Sequence, residues 1–218
     1  MTKVVLIRHG RSTANAQGIL AGRAPGISLD DVGRRQAGRL GELFAEVQIA
    51  AAYTSPIQRC RETAELAGFP DAEPVDDITE CDYGTWTGAK LESLHTEEVW
   101  GDIQAAPSRV SFPEGESMME MFQRTTAMVR ELAARHAETE TVLVFSHGDP
   151  IKAVLADAFG MRLDDFQRIH VSPAGISIID YRGDRPFVMC VNAGDDPTSM
   201  LASLTGPAVG GGDVSKPA

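Results

Sequence analysis

The sequence predicts an α/β protein, a three-layer α/β/α sandwich with a mostly parallel central sheet. Two short apolar runs, residues 4–7 and 141–145, each end abruptly at a polar step that contains His and Gly. Such runs are typical of strands buried on both faces of a parallel sheet. Amphipathic helices separate the strand candidates, and this alternation is the pattern of layered α/β domains.

Three further strands complete the predicted sheet. Residues 49–53 form a short apolar run that is followed by a Thr-Ser-Pro turn. Residues 176–181 and 187–191 are rich in β-branched and aromatic residues, and a polar turn at 182–186 lies between them. This spacing predicts a hairpin late in the chain.

The first two helices are predicted from their start signals. Apolar residues recur at helical spacing after Asp30, which is a good N-cap. The second helix is expected to begin at Ser55 as N-cap, with Pro56 in the first helical position and Gln58 three residues after the cap. We expect it to run to about residue 67.

Two more helices follow in the second half of the chain. Ser117 and Glu120 form a capping-box pattern that opens a helix reaching to about residue 136. Its methionine-rich stripe, residues 118–128, is predicted to be either core or the face of a homodimer. The last helix is expected at residues 150–159, where Gly160 ends it.

The length of 218 residues fits one catalytic domain, predicted to cover residues 1–204. Residues 68–117 have weaker periodicity and several turn residues, so we interpret them as an insertion or lid over the sheet. Residues 205–218 are rich in Gly and Pro and have no core pattern, which predicts a disordered tail.

The charge balance excludes one class of partner. The chain has 31 acidic and 20 basic residues, a formal net charge of −11. Binding of nucleic acid rests on Lys and Arg that neutralise phosphates, so no nucleic-acid partner is expected. A small anionic substrate needs only a few local cations and stays compatible with this charge.

The cellular location is predicted from what the sequence lacks. No apolar run reaches the length of a membrane span or of a signal peptide. The three cysteines are widely spaced and odd in number, which indicates neither a disulfide framework nor a zinc site. We therefore expect a cytoplasmic protein without a membrane partner.

A set of polar motifs occurs in a fixed order along residues 3 to about 160, and with it the sequence resembles the histidine phosphatase superfamily, also called the phosphoglycerate mutase-like family. The motifs are Arg8-His9-Gly10, Asn15, Ser55-Pro56-x-x-Arg59-x-x-x-Thr63, Glu80-x-x-x-Gly84-x-Trp86-x-Gly88, Gly115-Glu116-Ser117 and Ser146-His147-Gly148. The resemblance implies the phosphoglycerate mutase-like fold. It also implies a phosphomonoester hydrolase that needs neither a metal nor a cofactor.

The resemblance assigns a role to each of these residues. It makes His9 the nucleophile that becomes a phosphohistidine and Glu80 the general acid, with the neighbouring Asp82 as the competitor for the acid role. It places Arg8, Arg59 and His147 around the phosphate, with Asn15 and Gly148 as further substrate-binding residues. The implied partners are a small phosphorylated substrate and inorganic phosphate as the product.

The chemistry of the residues agrees with these roles. A phosphomonoester dianion needs cations and N–H donors around its oxygens and a nucleophile that faces phosphorus. A neutral imidazole is such a nucleophile when one ring nitrogen is free. A carboxyl group can protonate the leaving alcohol if burial raises its pKa towards neutrality.

Two alternatives to a phosphatase remain, a phosphoglycerate mutase and a catalytically silent module that binds a phosphorylated ligand. Arg11 stands where mutases carry Glu, and residues 99–114 lack the Arg- and Pro-rich insert of mutases. The silent module is disfavoured because His9 and Glu80 are both present. Arg11, Arg23 and Arg109 are hypothetical ligands for a second anionic group of the substrate.

Overall fold

One six-stranded sheet runs through the computed structural model, which describes residues 2–97, 99–182 and 185–194. Its strands are β1 (Thr2–Arg8), β2 (Ala51–Thr54), β3 (Glu73–Pro74), β4 (Thr141–Ser146), β5 (Ile176–Tyr181) and β6 (Phe187–Ala193). The order across the sheet is β3-β2-β4-β1-β5-β6. The first four are parallel, whereas β5 and β6 pair antiparallel at one edge, as the predicted hairpin requires.

Seven α-helices connect or cover the strands in the described residues. They are α1 (Thr13–Gln17), α2 (Asp31–Phe44), α3 (Gln58–Leu66), α4 (Leu91–Leu94), α5 (Val99–Ala105), α6 (Met118–Ala134) and α7 (Gly148–Ala158). None of these helices combines the length and the apolar character that crossing a bilayer would require. The predicted tail at 205–218 lies outside the described residues.

The two faces of the sheet are buried by different helices. In β1, Val4 and Leu6 join a core cluster with apolar residues of α6 and α7. Val5 and Ile7 point to the other face and join a smaller cluster with Leu40 of α2 and residues of α3. Successive side chains of a strand alternate between faces, so a strand covered on both sides is apolar throughout. The predicted three-layer sandwich is confirmed.

The predicted helix starts hold for α2 and α6 but not for α3. Asp30 Oδ1 accepts the Gly33 N–H at 2.8 Å, and Ser117 and Glu120 form the reciprocal capping box. The prediction that Ser55 caps α3 was wrong, because that helix starts at Gln58 with no side-chain cap. The Ser55 hydroxyl lies instead 2.8 Å from His147 Nε2.

Residues 68–117 contribute to the main core. Their buried side chains pack in the cluster beneath α6 and α7; the largest are Ile78, Tyr83, Trp100, Ile103 and Phe112. The segment has short helices and turns, which explains its weak periodicity. Whether it also moves as a lid stays a prediction.

The methionine stripe of α6 is mainly core. Met118 and Met121 are fully buried, and Met119 and Met128 are partly buried against the same cluster. Of the two alternatives for this stripe, the structure favours packing within one chain. A homodimer stays a prediction.

Candidate active site

Two histidines meet where β1 and β4 end. These strands are parallel neighbours, with Arg8 opposite Ser146 in the register, so the residues that follow them lie side by side. His9 and His147 are both buried, and their ring centroids are 5.2 Å apart. Ligands of open α/β sheets bind beyond the carboxyl ends of the strands, which is where this pair lies.

The partners of His9 determine its tautomer. Nδ1 lies 2.7 Å from the Gly10 carbonyl oxygen, which can only accept, so Nδ1 carries the proton. Nε2 accepts a hydrogen bond from Arg59 Nε at 3.1 Å. Burial, followed by the charges of Arg59 and Arg8, lowers the pKa of His9 well below its usual value. The imidazole is therefore neutral, with the Nε2 lone pair directed at Arg59 and the pocket.

Arg59 is the central cation of the site. Besides His9, its guanidinium donates to the Gly22 carbonyl at 2.8 Å and to His147 Nδ1 at 3.0 Å, both from Nη2. Nη1 is buried and has no hydrogen-bond partner among the described residues. A buried donor without a partner is costly, and a bound oxyanion would satisfy it.

The spacing between Arg59 and Thr63 has a structural reason. Thr63 lies one helical turn after Arg59 and accepts the Gly10 N–H at 3.0 Å. This bond ties the turn beside His9 to the helix that carries Arg59. Gly10 also approaches α2 closely, since a Cβ atom there would lie 2.6 Å from the Gly33 carbonyl oxygen. A side chain at position 10 would push α2 away from this turn.

His147 lies behind Arg59 rather than in the open part of the pocket. Because Nδ1 accepts from Arg59, Nε2 carries the proton and donates to Ser55 Oγ at 2.8 Å. Burial and the charge of Arg59 lower the pKa of His147 well below its usual value. Arg8 is also buried, and its Nη1 donates to the Val171 carbonyl at 2.7 Å. His147 thus acts on the pocket through Arg59, and Arg8 acts on it through its charge.

Glu80 lines the same pocket as His9 and Arg59. Its side chain is buried, and Oε1 accepts the Cys81 N–H at 3.0 Å. Burial and then the charge of Asp149 raise the pKa of Glu80 to about 7, against the opposing charge of Arg59. A carboxyl group with this pKa can both donate and accept a proton near neutral pH.

The backbone of Glu80 is held by two arginines that the sequence reasoning had not placed there. Arg23 Nε and Arg124 Nη2 donate to its carbonyl oxygen at 2.9 and 3.1 Å. Both arginines also bond to Glu116 Oε1, which accepts the Asp82 N–H as well. We call Arg23, Arg124 and Glu116 the clamp on Glu80. Arg23, a hypothetical ligand for a second substrate anion, is therefore engaged in this clamp.

Asn15 contributes an oriented amide. Its Oδ1 accepts from the backbone N–H and the hydroxyl of Ser12, at 3.0 and 2.8 Å, so the oxygen is identified by its donors. The Nδ2 group remains for the pocket that Asn15 lines. The rest of the wall includes Ile19, Leu20 and Tyr83.

Several other predicted candidates lie outside this pocket. Arg11 pairs with Asp30 at 2.6 Å, and Arg109 ends a short 3₁₀ helix, neither of them lining the pocket. The Asp82 side chain is 40% exposed and accepts the Gly84 N–H, and unlike Glu80 it does not line the pocket. Gly148 begins α7, directly after His147.

A buried polar network behind Glu80 was missed by the sequence reasoning. Tyr83 donates its hydroxyl proton to Asp149 Oδ2 at 2.8 Å, and Lys152 Nζ lies 3.1 Å from Asp149 Oδ1. The only signal in the sequence is an Asp and a Lys three residues apart in a helix that is otherwise almost entirely apolar near its start. Within the described ranges, no group of three His, Cys, Asp or Glu side chains is arranged to hold a metal ion.

Known proteins resemble this chain in sequence over most of its length. Phosphoserine phosphatase 1 of Hydrogenobacter thermophilus is 29% identical over 88% of this chain and 92% of its own. A bifunctional protein of Mycobacterium tuberculosis is 32% identical over 84% of this chain, which spans about half the length of that relative. The 2-carboxy-D-arabinitol-1-phosphatase of Triticum aestivum is 29% identical, and the match covers 92% of this chain and 42% of that protein.

Solved structures share the fold, and a family model spans nearly the whole chain. The YhfR protein of Bacillus stearothermophilus superposes with a TM-score of 0.82 at 27% identity, covering 89% of this chain and 98% of its own. The Entamoeba histolytica phosphoserine phosphatase, solved with phosphoserine, gives 0.80 at 24% identity over 88% and 98% of the two chains, and supports the fold alone. The model of the histidine phosphatase superfamily (branch 1) matches residues 4–194. The chain therefore belongs to the histidine phosphatase superfamily.

Proposed function

We propose that the chain carries out the phosphomonoester hydrolysis of its family through a phosphohistidine on Nε2 of His9. The observation that carries this proposal is the geometry of His9. Its Nδ1–H is held by the Gly10 carbonyl, while Nε2 has a lone pair beside the Arg59 guanidinium. Glu80 lines the same pocket and supplies the acid.

In the first step, the Nε2 lone pair of His9 attacks phosphorus and the bond from phosphorus to the ester oxygen breaks. Glu80 gives its proton to that oxygen, so the alcohol leaves neutral and Glu80 becomes a carboxylate. For this attack Arg59 has to turn its Nε–H from His9 to a phosphate oxygen. Its unpartnered Nη1 is available for a second oxygen.

In the second step, water attacks phosphorus and the bond between phosphorus and His9 Nε2 breaks. The Glu80 carboxylate takes a proton from the water and is ready for another cycle. A carboxyl group whose pKa is about 7 suits both directions of proton transfer. Inorganic phosphate is released, and the neutral imidazole of His9 is regenerated.

The positive charges of Arg59 and Arg8 balance the phosphate dianion. Asn15 adds a neutral donor through Nδ2, and Gly148 begins α7, whose helix dipole favours an anion nearby. His147 orients Arg59 by accepting a hydrogen bond from it at Nδ1. A bound dianion would raise the pKa of His147 and make it a better donor to the phosphate.

We propose a small phosphorylated metabolite with a short alcohol as the substrate, and phosphoserine as the first candidate. Support comes from the name of one relative, phosphoserine phosphatase 1 of Hydrogenobacter thermophilus. The pocket, whose lining includes Ile19, Leu20 and Ala21, is small, which suits a small leaving group. Free Cys60, Cys81 and Cys190 are compatible with a reducing cytoplasm, where we place the enzyme.

The test is phosphate release from phosphoserine and from p-nitrophenyl phosphate in the presence of EDTA. The wild type is compared with His9→Ala and with His95→Ala, a control in which the replaced ring stacks on Trp100 away from the pocket. We expect activity in EDTA that His95→Ala retains and His9→Ala loses. Rapid acid-free quenching with ³²P-labelled substrate should trap label on the wild type and on His95→Ala but not on His9→Ala. Turnover by His9→Ala would refute the phosphohistidine mechanism, and loss of turnover in EDTA would refute metal independence.

A further inference from the structure

Asp149 is a fully buried carboxylate that the hydrolysis steps above do not use. It is the second residue of α7, two positions after His147, and has no exposed surface. Its two oxygens have different partners: Oδ2 accepts from the Tyr83 hydroxyl at 2.8 Å and Oδ1 pairs with Lys152 Nζ at 3.1 Å. Burying an ion pair costs free energy of desolvation, so its presence beside a reaction pocket calls for an explanation.

The Asp149 end of the ion pair lies nearer the pocket than the Lys152 end. Tyr83 lines the pocket together with Glu80, so the Asp149 end of the pair lies next to that wall. Lys152 turns the other way, towards Gln167 at 2.9 Å, and packs over the ring of Phe166. The negative end of the pair therefore lies beside the pocket wall that includes Tyr83 and Glu80, and the positive end faces the 3₁₀ helix Leu163–Arg168.

The other charges around Glu80 favour its ionised form. Arg59 from α3 and Arg8 from β1 lower the pKa of Glu80, and the Cys81 N–H bonded to Oε1 acts in the same sense. Arg124 from α6 also interacts electrostatically with Glu80. The nearby Tyr83, Cys60 and Cys81 are neutral, because burial raises the pKa of each. Among the neighbouring charges, that of Asp149 raises the pKa of Glu80 the most and so opposes these cations.

We propose that Asp149, held by Tyr83 and Lys152, is a positioning residue that keeps the general acid Glu80 protonated in a pocket dominated by arginines. The inference rests on the proposed function, since it concerns the proton that Glu80 delivers to the leaving alcohol. Asp149 touches neither the substrate nor the reacting atoms. Its negative charge offsets the positive charge of the arginines proposed to bind phosphate. Without it, these arginines would favour the ionised form of Glu80 before the alcohol departs.

The test compares the pH dependence of kcat/KM for Asp149→Asn and the wild type. Asn keeps an acceptor for the Tyr83 hydroxyl and removes the charge. The acid form of Glu80 is present below its pKa, so removing a negative neighbour should move the alkaline limb to lower pH. We expect a shift of about one pH unit, the effect of a single charge at an incompletely screened distance. Asp157→Asn is the matched control, because Asp157 lies on the same helix and pairs with Arg130 at the surface.

Two substrates separate this role from a structural one. Phosphoserine has an alkoxide leaving group that needs the proton of Glu80, whereas p-nitrophenolate departs as a stable anion. The alkaline limb of Asp149→Asn should shift for phosphoserine and much less for p-nitrophenyl phosphate. An equal loss of activity for both substrates at every pH, without a shift, would overturn the proposal and leave a role in folding.

A second variant covers the case in which Asp149→Asn does not fold because Lys152 is left buried without its carboxylate. Asp149→Asn/Lys152→Gln removes both charges, and we expect a shift in the same direction but smaller. An alkaline limb at the wild-type position in a folded variant contradicts the proposal. The proposed function fails separately, if the wild type and His9→Ala release phosphate equally.

Discussion

Replacing Arg59 with Lys tests whether the site depends on the guanidinium or only on a positive charge. The guanidinium contacts His9 Nε2, the Gly22 carbonyl and His147 Nδ1, and its Nη1 is left for a ligand. Lys keeps the charge but carries a single nitrogen on a flexible chain. The substitution therefore removes the planar arrangement of donors without removing the cation.

The expected loss follows from the number of hydrogen bonds. The Arg59 guanidinium has three nitrogens near the pocket, and the single ammonium group of Lys can reproduce the hydrogen bonds of at most one of them. Two lost hydrogen bonds to a charged phosphate, at roughly 1.5–3 kcal/mol each, give about 3–6 kcal/mol. If these bonds act in the transition state, kcat/KM should fall by roughly 10²- to 10⁴-fold.

The assay is release of p-nitrophenol from p-nitrophenyl phosphate at several concentrations, so that kcat and KM are separated. Arg61→Lys is the matched control, because Arg61 is exposed on the same helix and should change kcat/KM by less than about twofold. Thermal unfolding of both variants checks that the fold is intact. A folded Arg59→Lys variant with kcat/KM within about threefold of the wild type would refute the reasoning, since it would show that charge alone suffices.

Three further outcomes are expected. Measurements of kcat/KM against pH should give a bell-shaped profile whose alkaline limb follows the Glu80 pKa of about 7. Because the pKa of His9 is lowered, His9 should remain a neutral nucleophile below pH 6.5. An acid limb near pH 6.5 would contradict this expectation. Gly10→Ala should lower the free energy of unfolding by about 1–3 kcal/mol in urea denaturation, since its Cβ would meet Gly33, and unchanged stability would count against the close approach. Glu116→Gln should reduce kcat for phosphoserine about tenfold with little change in KM, because the clamp on Glu80 loosens; a selective rise in KM would point instead to substrate contact.

Much of the fold was predictable because local patterns and tertiary structure agree. The apolar runs of β1 and β4 are buried on both faces, so no alternative assignment competed with a parallel strand. The caps at Asp30 and Ser117 act on their own helices, as a local signal should. Buried strands and helix caps depend on residues that are close together in the sequence, so local sequence patterns are sufficient to predict them.

The start of α3 was not predictable for the opposite reason. Ser55, Pro56 and Gln58 have the local chemistry of a helix start, but the Ser55 hydroxyl bonds to His147, which is 92 residues away in sequence. A contact over this distance has no signature in the local pattern. The same applies to the bond between Tyr83 and Asp149, which joins two segments 66 residues apart.

The predicted site residues fall into two groups for a physical reason. His9, Asn15, Arg59 and Glu80 line one pocket, and all four were located by the motifs that carry the family resemblance. The orientation of a long side chain depends on the residues that it contacts. These residues are often distant in the sequence, so a motif does not reveal them. Arg23 illustrates this, since its charge suggested a second substrate anion and its contacts place it at the Glu80 carbonyl.

The clamp around Glu116 has a consequence for divergence among relatives. The groups proposed to bind phosphate come from the ends of β1 and β4 and from α3, whereas Glu80 lies on a loop that is held by the side chains of Arg23, Arg124 and Glu116. That loop also supplies Tyr83 to the lining of the pocket in which we propose that the leaving group binds. A lineage can therefore accumulate changes along the loop and acquire new alcohol preferences while the phosphate chemistry is inherited intact.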